Sequence, residues 1–165
     1  MDADRFWRII EQAKDKAFDG EQQVDLIVEE LKSLTPTEII EFSRCYDDYR
    51  FRAYRWDLWG AAYIMNGGCS DDCFEYFRAW LISRGRAVYE RAIDSPDSLA
   101  EEFEPERDDY ELESLHYAPL RAYEEVTGQS MPERERVFPT LIGRSWEEED
   151  LDELLPRLTA RDSAE

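Results

Sequence analysis

The feature of the sequence that most restricts its fold is a long helical repeat of apolar residues in the first half of the chain. Thr35 and Pro36 have the order of a capping residue followed by a first helical residue, and Glu38 completes a capping box. From there, apolar residues recur every three or four positions, so they lie on one face of a helix and need a packing partner. We therefore predict one continuous helix of about seven turns. Its buried stripe comprises Ile39, Phe42, Tyr46, Tyr49, Ala53, Trp56, Gly60 and Tyr63.

The predicted helix ends at a tight turn and is followed by a second aromatic helix. Asn66, Gly67 and Gly68 come directly after the stripe, and these residue types readily adopt the left-handed conformation found at helix C-termini. Ser70 is suited to cap the next helix, whose surface as far as Ile82 is apolar apart from one narrow polar line. Because a short loop makes neighbouring helices antiparallel, we predict a central αα-hairpin.

The remaining capping and breaking signals predict shorter helices around this hairpin, among them one over residues 118–126 that Gly128 ends, and the C-terminal third is less regular. The apolar run at residues 137–142 lies among proline and glycine residues and predicts an extended arm over the core. Ser145 and Glu148 have capping-box spacing and predict a last acidic helix. We therefore predict a mainly α, single-domain helical bundle over residues 1–158. It has an irregular or short extended C-terminal arm and a flexible tail at residues 159–165.

The charge of the chain restricts its partners. Forty acidic residues against twenty basic ones give a net charge of -20. This charge repels nucleic-acid phosphates and anionic lipid headgroups, so we predict no direct binding to nucleic acid or to membranes. The same field favours a basic protein as partner, bound by a monomer or a homodimer. The chain shows neither a signal-peptide pattern nor an apolar run of about 20 residues, so we expect a cytoplasmic protein.

The cysteines suggest neither a disulfide framework nor a metal site. Cys45, Cys69 and Cys73 are odd in number, which fits a reducing compartment. Cys69 and Cys73 could bind zinc together with Asp71 or Asp72, but a structural zinc site normally has four nitrogen or sulfur ligands. A reactive thiol at Cys69, close to a helix N-terminus, is the alternative, although the neighbouring aspartates oppose thiolate formation. We predict an inert cysteine, no metal and no cofactor.

Four segments of the chain carry a resemblance to a known family. They are DRFW at residues 4–7, WDLWGAAY at 56–63, NGGCSDD at 66–72 and FEYFRAWLI at 74–82. Together they resemble the bacterial family called domain of unknown function 4240, over about the first 99 residues. The resemblance implies a small soluble bacterial protein, and it supplies no agreed activity and no catalytic residue. Relatives often have glycine at the position of Cys73, which argues against a function that needs both thiols.

The hairpin itself admits two interpretations. Aromatic residues at helical spacing are typical of a packed core, and acidic residues at a helix N-terminus act as caps. Alternatively, Asp57 lies among buried aromatic residues and needs a partner, for which Arg78 on the next helix is the natural candidate. A salt bridge then forms across the hairpin, or polar side chains line a ligand pocket at its tip. The candidate ligand-binding residues are Asp57, Asn66, Ser70, Asp71 and Arg78.

A third interpretation places function on the acidic C-terminal surface. Residues 101–113 and 147–150 carry dense negative charge beside aromatic residues that we expect to be exposed. Such a surface suits the neutralisation of a basic protein, as in small acidic inhibitor and immunity proteins. Blocks of like charge are, however, also typical of a merely solvated face. The candidate partner-binding residues are Tyr110, Trp146, Glu147, Glu148, Glu149 and Asp150.

We take the third interpretation as the functional hypothesis. It describes an acidic cytoplasmic protein-interaction module, of the inhibitor, immunity or adaptor type, that binds a basic protein. The alternative is an enzyme or a small-ligand-binding domain that uses the polar cluster at the hairpin tip. No catalytic residue is predicted, because no nucleophile and base pair is evident and the only histidine, His116, stands on a weakly periodic segment.

Overall fold

The computed structural model of the protein describes residues 1–104, 106–107, 109–133 and 139–163. The described chain is mainly α-helical and contains no strand, which confirms the predicted fold class. None of its helices combines the length and the apolarity that crossing a bilayer requires. The α-helices are α1 (Ala3–Lys16), α2 (Gly20–Lys32), α3 (Pro36–Arg52), α4 (Trp56–Met65), α5 (Asp71–Ser83), α6 (Arg86–Asp94), α7 (Ala118–Thr127), α8 (Leu151–Leu154) and α9 (Pro156–Asp162). Short 3-10 segments lie at Pro96–Glu101, Glu113–Tyr117 and Glu148–Asp150.

Local capping explains several of the helix ends. Thr35 and Glu38 form the predicted capping box of α3, and the pKa of Glu38 falls to about 2 because its carboxylate accepts the backbone N–H of Thr35. The hydroxyl of Ser70 accepts the backbone N–H of Cys73 at 3.2 Å and caps α5 as predicted. Gly128 ends α7 in the left-handed conformation, also as predicted.

The core is built mainly from aromatic side chains that meet between helices. Phe6 of α1 packs against Phe42 of α3 with ring centroids 4.9 Å apart, and Trp7 packs against Tyr89 of α6 at 5.3 Å. Helix α5 is buried over most of its surface, which is typical of a helix that is apolar on all sides. The largest fully buried side chains are Trp7, Tyr89, Tyr110, Phe6, Phe42, Phe74, Phe77, Ile10, Ile27, Leu31, Ile39 and Leu58.

The prediction of one continuous helix from Pro36 to Tyr63 is wrong, because the chain leaves the helical conformation after Arg52. Arg55 is extended, with φ -136° and ψ 142°, and it separates α3 from α4. The central hairpin therefore consists of α4 and α5, joined by residues 66–70. The apolar stripe continues through the break, so its spacing alone could not reveal it.

Hydrogen bonds from the C-terminal arm replace the missing helical ones at this break. The N–H of Trp56 donates to the carbonyl of Ile142 at 2.9 Å, and the N–H of Ile142 donates to the carbonyl of Tyr54 at 3.1 Å. A parallel bridge between Arg55 and Ile142 results. The predicted extended arm is thus present at its end, while Val137 and Phe138 lie outside the described residues.

The end of the chain differs from the predicted single acidic helix. The capping box is formed by Glu147 and Asp150, two residues after the predicted box at Ser145 and Glu148. A 3-10 turn, α8 and α9 follow in succession, because Pro156 interrupts the helix and starts a new one. Leu151, Leu155 and Leu158 are buried. The predicted boundary at residue 158 falls inside α9; residues 164 and 165 lie outside the described part, and the flexibility of the tail stays a prediction.

Gly60 allows this C-terminal segment to contact α4 closely. A Cβ atom at Gly60 would lie 2.9 Å from Cδ2 of Leu151 and 3.3 Å from Cδ1 of Leu155. We expect Gly60→Ala to lower the free energy of unfolding by about 1–3 kcal/mol through overpacking, although alanine is otherwise the better helix former. Urea denaturation followed by tryptophan fluorescence measures this loss. Leu151→Ala in the same chain should relieve part of it, and a Gly60→Ala variant as stable as the native chain would contradict the prediction.

Candidate functional site

The structure does not bring the predicted hairpin-tip residues together. Asp57 lies in the first turn of α4 and Asn66 follows its last turn, so about 13 Å of helix separates them. The half-exposed carboxylate of Asp57 pairs with Arg55, whose Nε and Nη2 lie 3.0 and 2.8 Å from its two oxygens. The predicted salt bridge from Asp57 to Arg78 is therefore wrong, because the adjacent Arg55 takes that carboxylate.

Arg78 instead locks α5 against the C-terminal end of α3. Its side chain is 5% exposed, its Nε donates to the carbonyl of Phe74 at 3.2 Å, and its Nη1 donates to the carbonyl of Arg50 at 3.0 Å. The guanidinium also lies over the rings of Tyr54 and Phe74, 4.8 and 5.0 Å from their centroids. Burial lowers the pKa of Arg78 to about 10, and the neighbouring charge of Arg50 adds to this effect. These contacts assign Arg78 a structural position.

The other predicted ligand residues hold the loop between α4 and α5. The side-chain oxygen of Asn66 accepts the backbone N–H of Tyr110 at 2.8 Å, and its amide nitrogen donates to the carbonyl of Ala62 at 3.1 Å. Ser70 caps α5, and Asp71 is exposed in the first turn of that helix. The hydrogen-bonding capacity of Asn66 is thus largely used within the fold.

The two aromatic residues expected on the partner-binding surface are not both exposed. Tyr110 is completely buried, and its hydroxyl donates to the carbonyl of Glu104 at 3.0 Å, so the prediction that it is exposed is wrong. Trp146 is half-buried, and its Nε1 donates to the carbonyl of Trp56 at 2.6 Å. Its ring packs edge-on against Tyr63, with centroids 5.4 Å apart. Trp146 therefore keeps one side available, whereas Tyr110 belongs to the core.

The cysteines also differ from expectation. A disulfide links Cys69 to Cys73, with Cα atoms 5.3 Å apart. Cys73 lies in the first turn of α5, and this turn brings it close to Cys69, which directly precedes the capping residue Ser70. The prediction of an inert free thiol at Cys69 is therefore wrong. Cys45 is free, and burial raises the pKa of its thiol. Within the described part of the chain, no group of three histidine, cysteine or acidic residues is placed to hold a metal ion.

An acid-lined groove lies where the C-terminal segment meets α4 and the turn after α6. Its volume is about 510 Å³. Its floor is apolar and includes Gly60 and buried Leu151 and Leu155, and Trp146 forms part of one wall. Leu154, which is 55% exposed, lies at the same groove. The charged residues that line it are Asp57, Asp94, Asp97, Asp150, Glu153 and Arg144.

The carboxylates of this groove differ in how far the fold already uses them. Asp97 accepts the backbone N–H groups of Arg157 and Leu158 and caps α9. Among the described residues, the carboxylates of Asp94 and Glu153 make no hydrogen bond or ion pair, and both residues are exposed. Five acids against one base leave the lining negative, so the groove favours a cationic group.

A second polar cluster, which sequence reasoning missed, is buried between α3, α5 and the 3-10 segment at residues 113–117. The hydroxyl of Tyr46 lies 2.6 Å from Nδ1 of His116. Nε2 of His116 lies 3.9 Å from Oε1 of Glu75, which also accepts a hydrogen bond from Nη1 of Arg50 at 2.6 Å. The cluster thus places a tyrosine, a histidine, a carboxylate and an arginine beside one another, with hydrogen bonds between Tyr46 and His116 and between Arg50 and Glu75.

The protonation states in this cluster follow from burial. Desolvation raises the pKa of Tyr46 far above its ordinary value, so its hydroxyl stays protonated and is able to donate to Nδ1 of His116. Desolvation, followed by the charges of Arg50 and Arg78, lowers the pKa of His116 to about 4. His116 is therefore neutral at pH 7, and in the tautomer that accepts from Tyr46 it carries its proton on Nε2. Its approach to Glu75 is accordingly not an ion pair at that pH.

The features described so far define a class of protein: a mainly α-helical acidic domain with an aromatic core and an acid-lined groove at its C-terminal side. The chain belongs to the family described as "Protein of unknown function (DUF4240)", whose sequence model matches residues 1–125. This match confirms the predicted resemblance and extends it beyond residue 99. No curated protein and no solved structure matches the chain. The cluster around His116 lies inside the matched region, whereas much of the groove lies beyond it.

Proposed function

We propose that the protein is an interaction module that binds a basic protein through the acid-lined groove. The observation that carries this proposal is the composition of the groove: Asp94 and Glu153, which make no hydrogen bond or ion pair among the described residues, line it together with Trp146. A lysine or arginine side chain can pair with such carboxylates while its aliphatic stem or guanidinium plane packs on the indole. The groove therefore matches the chemistry of a basic segment better than that of an anionic or apolar one.

The rest of the acidic segment supports the same proposal. Glu147, Glu148, Glu149 and Asp150 are exposed at the start of α8, next to the groove. A negative surface around a binding groove accelerates encounter with a basic partner and weakens as salt screens it. The proposal places the protein in the cytoplasm, as an inhibitor, immunity or adaptor protein. Nucleic acid and anionic membranes are not its partners, because they carry the same sign of charge.

An arginine-rich peptide tests the groove directly. A fluorescent ten-residue peptide of alternating arginine and serine should bind the native chain, measured by fluorescence anisotropy at low salt. Asp94→Asn combined with Glu153→Gln should weaken binding about five- to thirtyfold, since each of the two lost charge pairs is worth roughly 0.5–1 kcal/mol. Binding by the native chain should also weaken between 50 and 300 mM NaCl, because salt screens exposed charges.

The matched control removes the same charge elsewhere. Glu30 on α2 and Glu124 on α7 are exposed and do not line the groove. Glu30→Gln combined with Glu124→Gln should change peptide affinity less than about threefold, because only the long-range field is altered. If both double variants weaken binding equally, the interaction is a diffuse charge effect and the groove is not its site. A citrulline version of the peptide should not bind.

A further inference from the structure

The buried cluster around His116 contains two hydrogen-bond donors that the fold leaves without acceptors. Among the described residues, neither Nε of Arg50 nor Nε2 of His116 has a hydrogen-bond partner. Oε1 of Glu75 lies 2.6 Å from Nη1 of Arg50 but 3.9 Å from Nε2 of His116, so it satisfies only the arginine. Buried N–H groups without acceptors are costly and uncommon in folded proteins.

The charges around these donors balance only while Glu75 is in place, because without its carboxylate Arg50 and Arg78 face Asp47 alone. Arg50 and Arg78 lie side by side, and no described carboxylate comes within ion-pair distance of Arg78. Asp47 and Glu75 both contact Arg50, at 3.3 and 2.6 Å. Glu75 is the most exposed of these groups, with 41% of its side chain accessible, whereas Arg50 is 19% and His116 14% exposed. The cluster therefore opens to solvent at the carboxylate of Glu75.

We propose that Arg50 and His116 bind a small oxyanion, a phosphate or carboxylate group, in the position now taken by the carboxylate of Glu75. The side chain of Glu75 is flexible and half-exposed, so it can turn to solvent while α5 stays in place. A bound oxyanion in this position accepts from Nη1 of Arg50 in a charge-assisted hydrogen bond. It also accepts from Nε2 of His116. The site is separate from the acid-lined groove and stands independently of the function proposed for it.

His116 is the only histidine of the chain, so its ring signals report on this site without ambiguity. The experiment is an NMR titration of the His116 ring at pH 7 with inorganic phosphate, and in a second arm with acetate, at constant ionic strength. In Glu75→Gln, phosphate should shift the ring signals saturably, with an apparent Kd at least about tenfold below that of the native chain. A response to acetate alone would assign the ligand to carboxylates, and a response to phosphate alone would assign it to phosphates.

Two further variants make the test decisive. Glu90→Gln removes the same charge from the exposed pair with Arg52, whose contacts are 3.0 and 2.8 Å, and it should leave the His116 response as in the native chain. Arg50→Lys in the Glu75→Gln chain keeps the charge but replaces the planar guanidinium, which fixes its donors, by a flexible ammonium group, and it should abolish saturation. Absence of a saturable response to both anions in folded Glu75→Gln, or an equal response in Glu90→Gln, overturns the proposal.

Discussion

Arg78→Ala should lower the free energy of unfolding by about 3 kcal/mol, as urea denaturation measures it. The substitution leaves a cavity in a position that is 5% exposed, and it removes the donor that satisfies the carbonyl of Arg50 near the end of α3. It also removes the packing of the guanidinium on Tyr54 and Phe74. The effect is large because one side chain joins α3 to α5 where the helix breaks.

Two comparisons separate the contributions to this loss. Arg78→Met keeps much of the side-chain volume and should cost less than Arg78→Ala, because burying a charged group is itself unfavourable. Asp57→Asn should cost at most about 1 kcal/mol, since its ion pair with Arg55 is largely exposed. An Arg78→Ala chain within 1 kcal/mol of the native stability would show that the guanidinium does not hold the two helices together.

The second large effect is a pH dependence of the free energy of unfolding that originates from His116. Its pKa is about 4 in the folded chain against 6.5 for an ordinary histidine. Between these values the unfolded chain binds a proton that the folded chain does not, so the free energy of unfolding decreases as pH falls from 6.5 to 4. At 1.4 kcal/mol per pH unit, the free energy of unfolding falls by about 3 kcal/mol over this range because of His116 alone. Above pH 6.5 this part of the stability is fully retained.

His116→Gln should remove this component of the pH dependence. Glutamine can still accept the hydroxyl of Tyr46, and carboxylate titrations contribute similarly to both chains, so the difference between native and variant is informative. Urea denaturation at half-unit intervals from pH 4 to 7.5 should show the native stability falling more steeply than that of the variant. Parallel curves would mean that His116 does not resist protonation in the fold.

Several helix ends were predictable because a local interaction defines them. Thr35 with Glu38, Ser70 and Gly128 each act within about one turn of the helix that they start or end, and the structure confirms all three. The buried stripe was also predictable, because its spacing reflects burial on one face. The mainly α fold class follows from the same local patterns.

The features that sequence reasoning missed depend on contacts between distant residues. The break at Arg55 is made by the backbone of Ile142, which replaces helical hydrogen bonds without altering the apolar spacing. Tyr46 and His116 are 70 residues apart, so their contact has no local signature. The placement of Tyr46 in the buried stripe was a usable signal, since a buried tyrosine hydroxyl requires a hydrogen-bond partner.

The bridge between Arg55 and Ile142 bears on where this protein could be shortened. The family match ends at residue 125, yet the amide of Trp56 and the carbonyl of Tyr54 obtain their partners from Ile142. A chain cut at residue 125 would leave these groups to water and expose Gly60 and the flank of Trp56, now covered by residues 143–155. An uncovered apolar helix face promotes self-association. A shortened form of this protein should therefore keep the segment through Leu155.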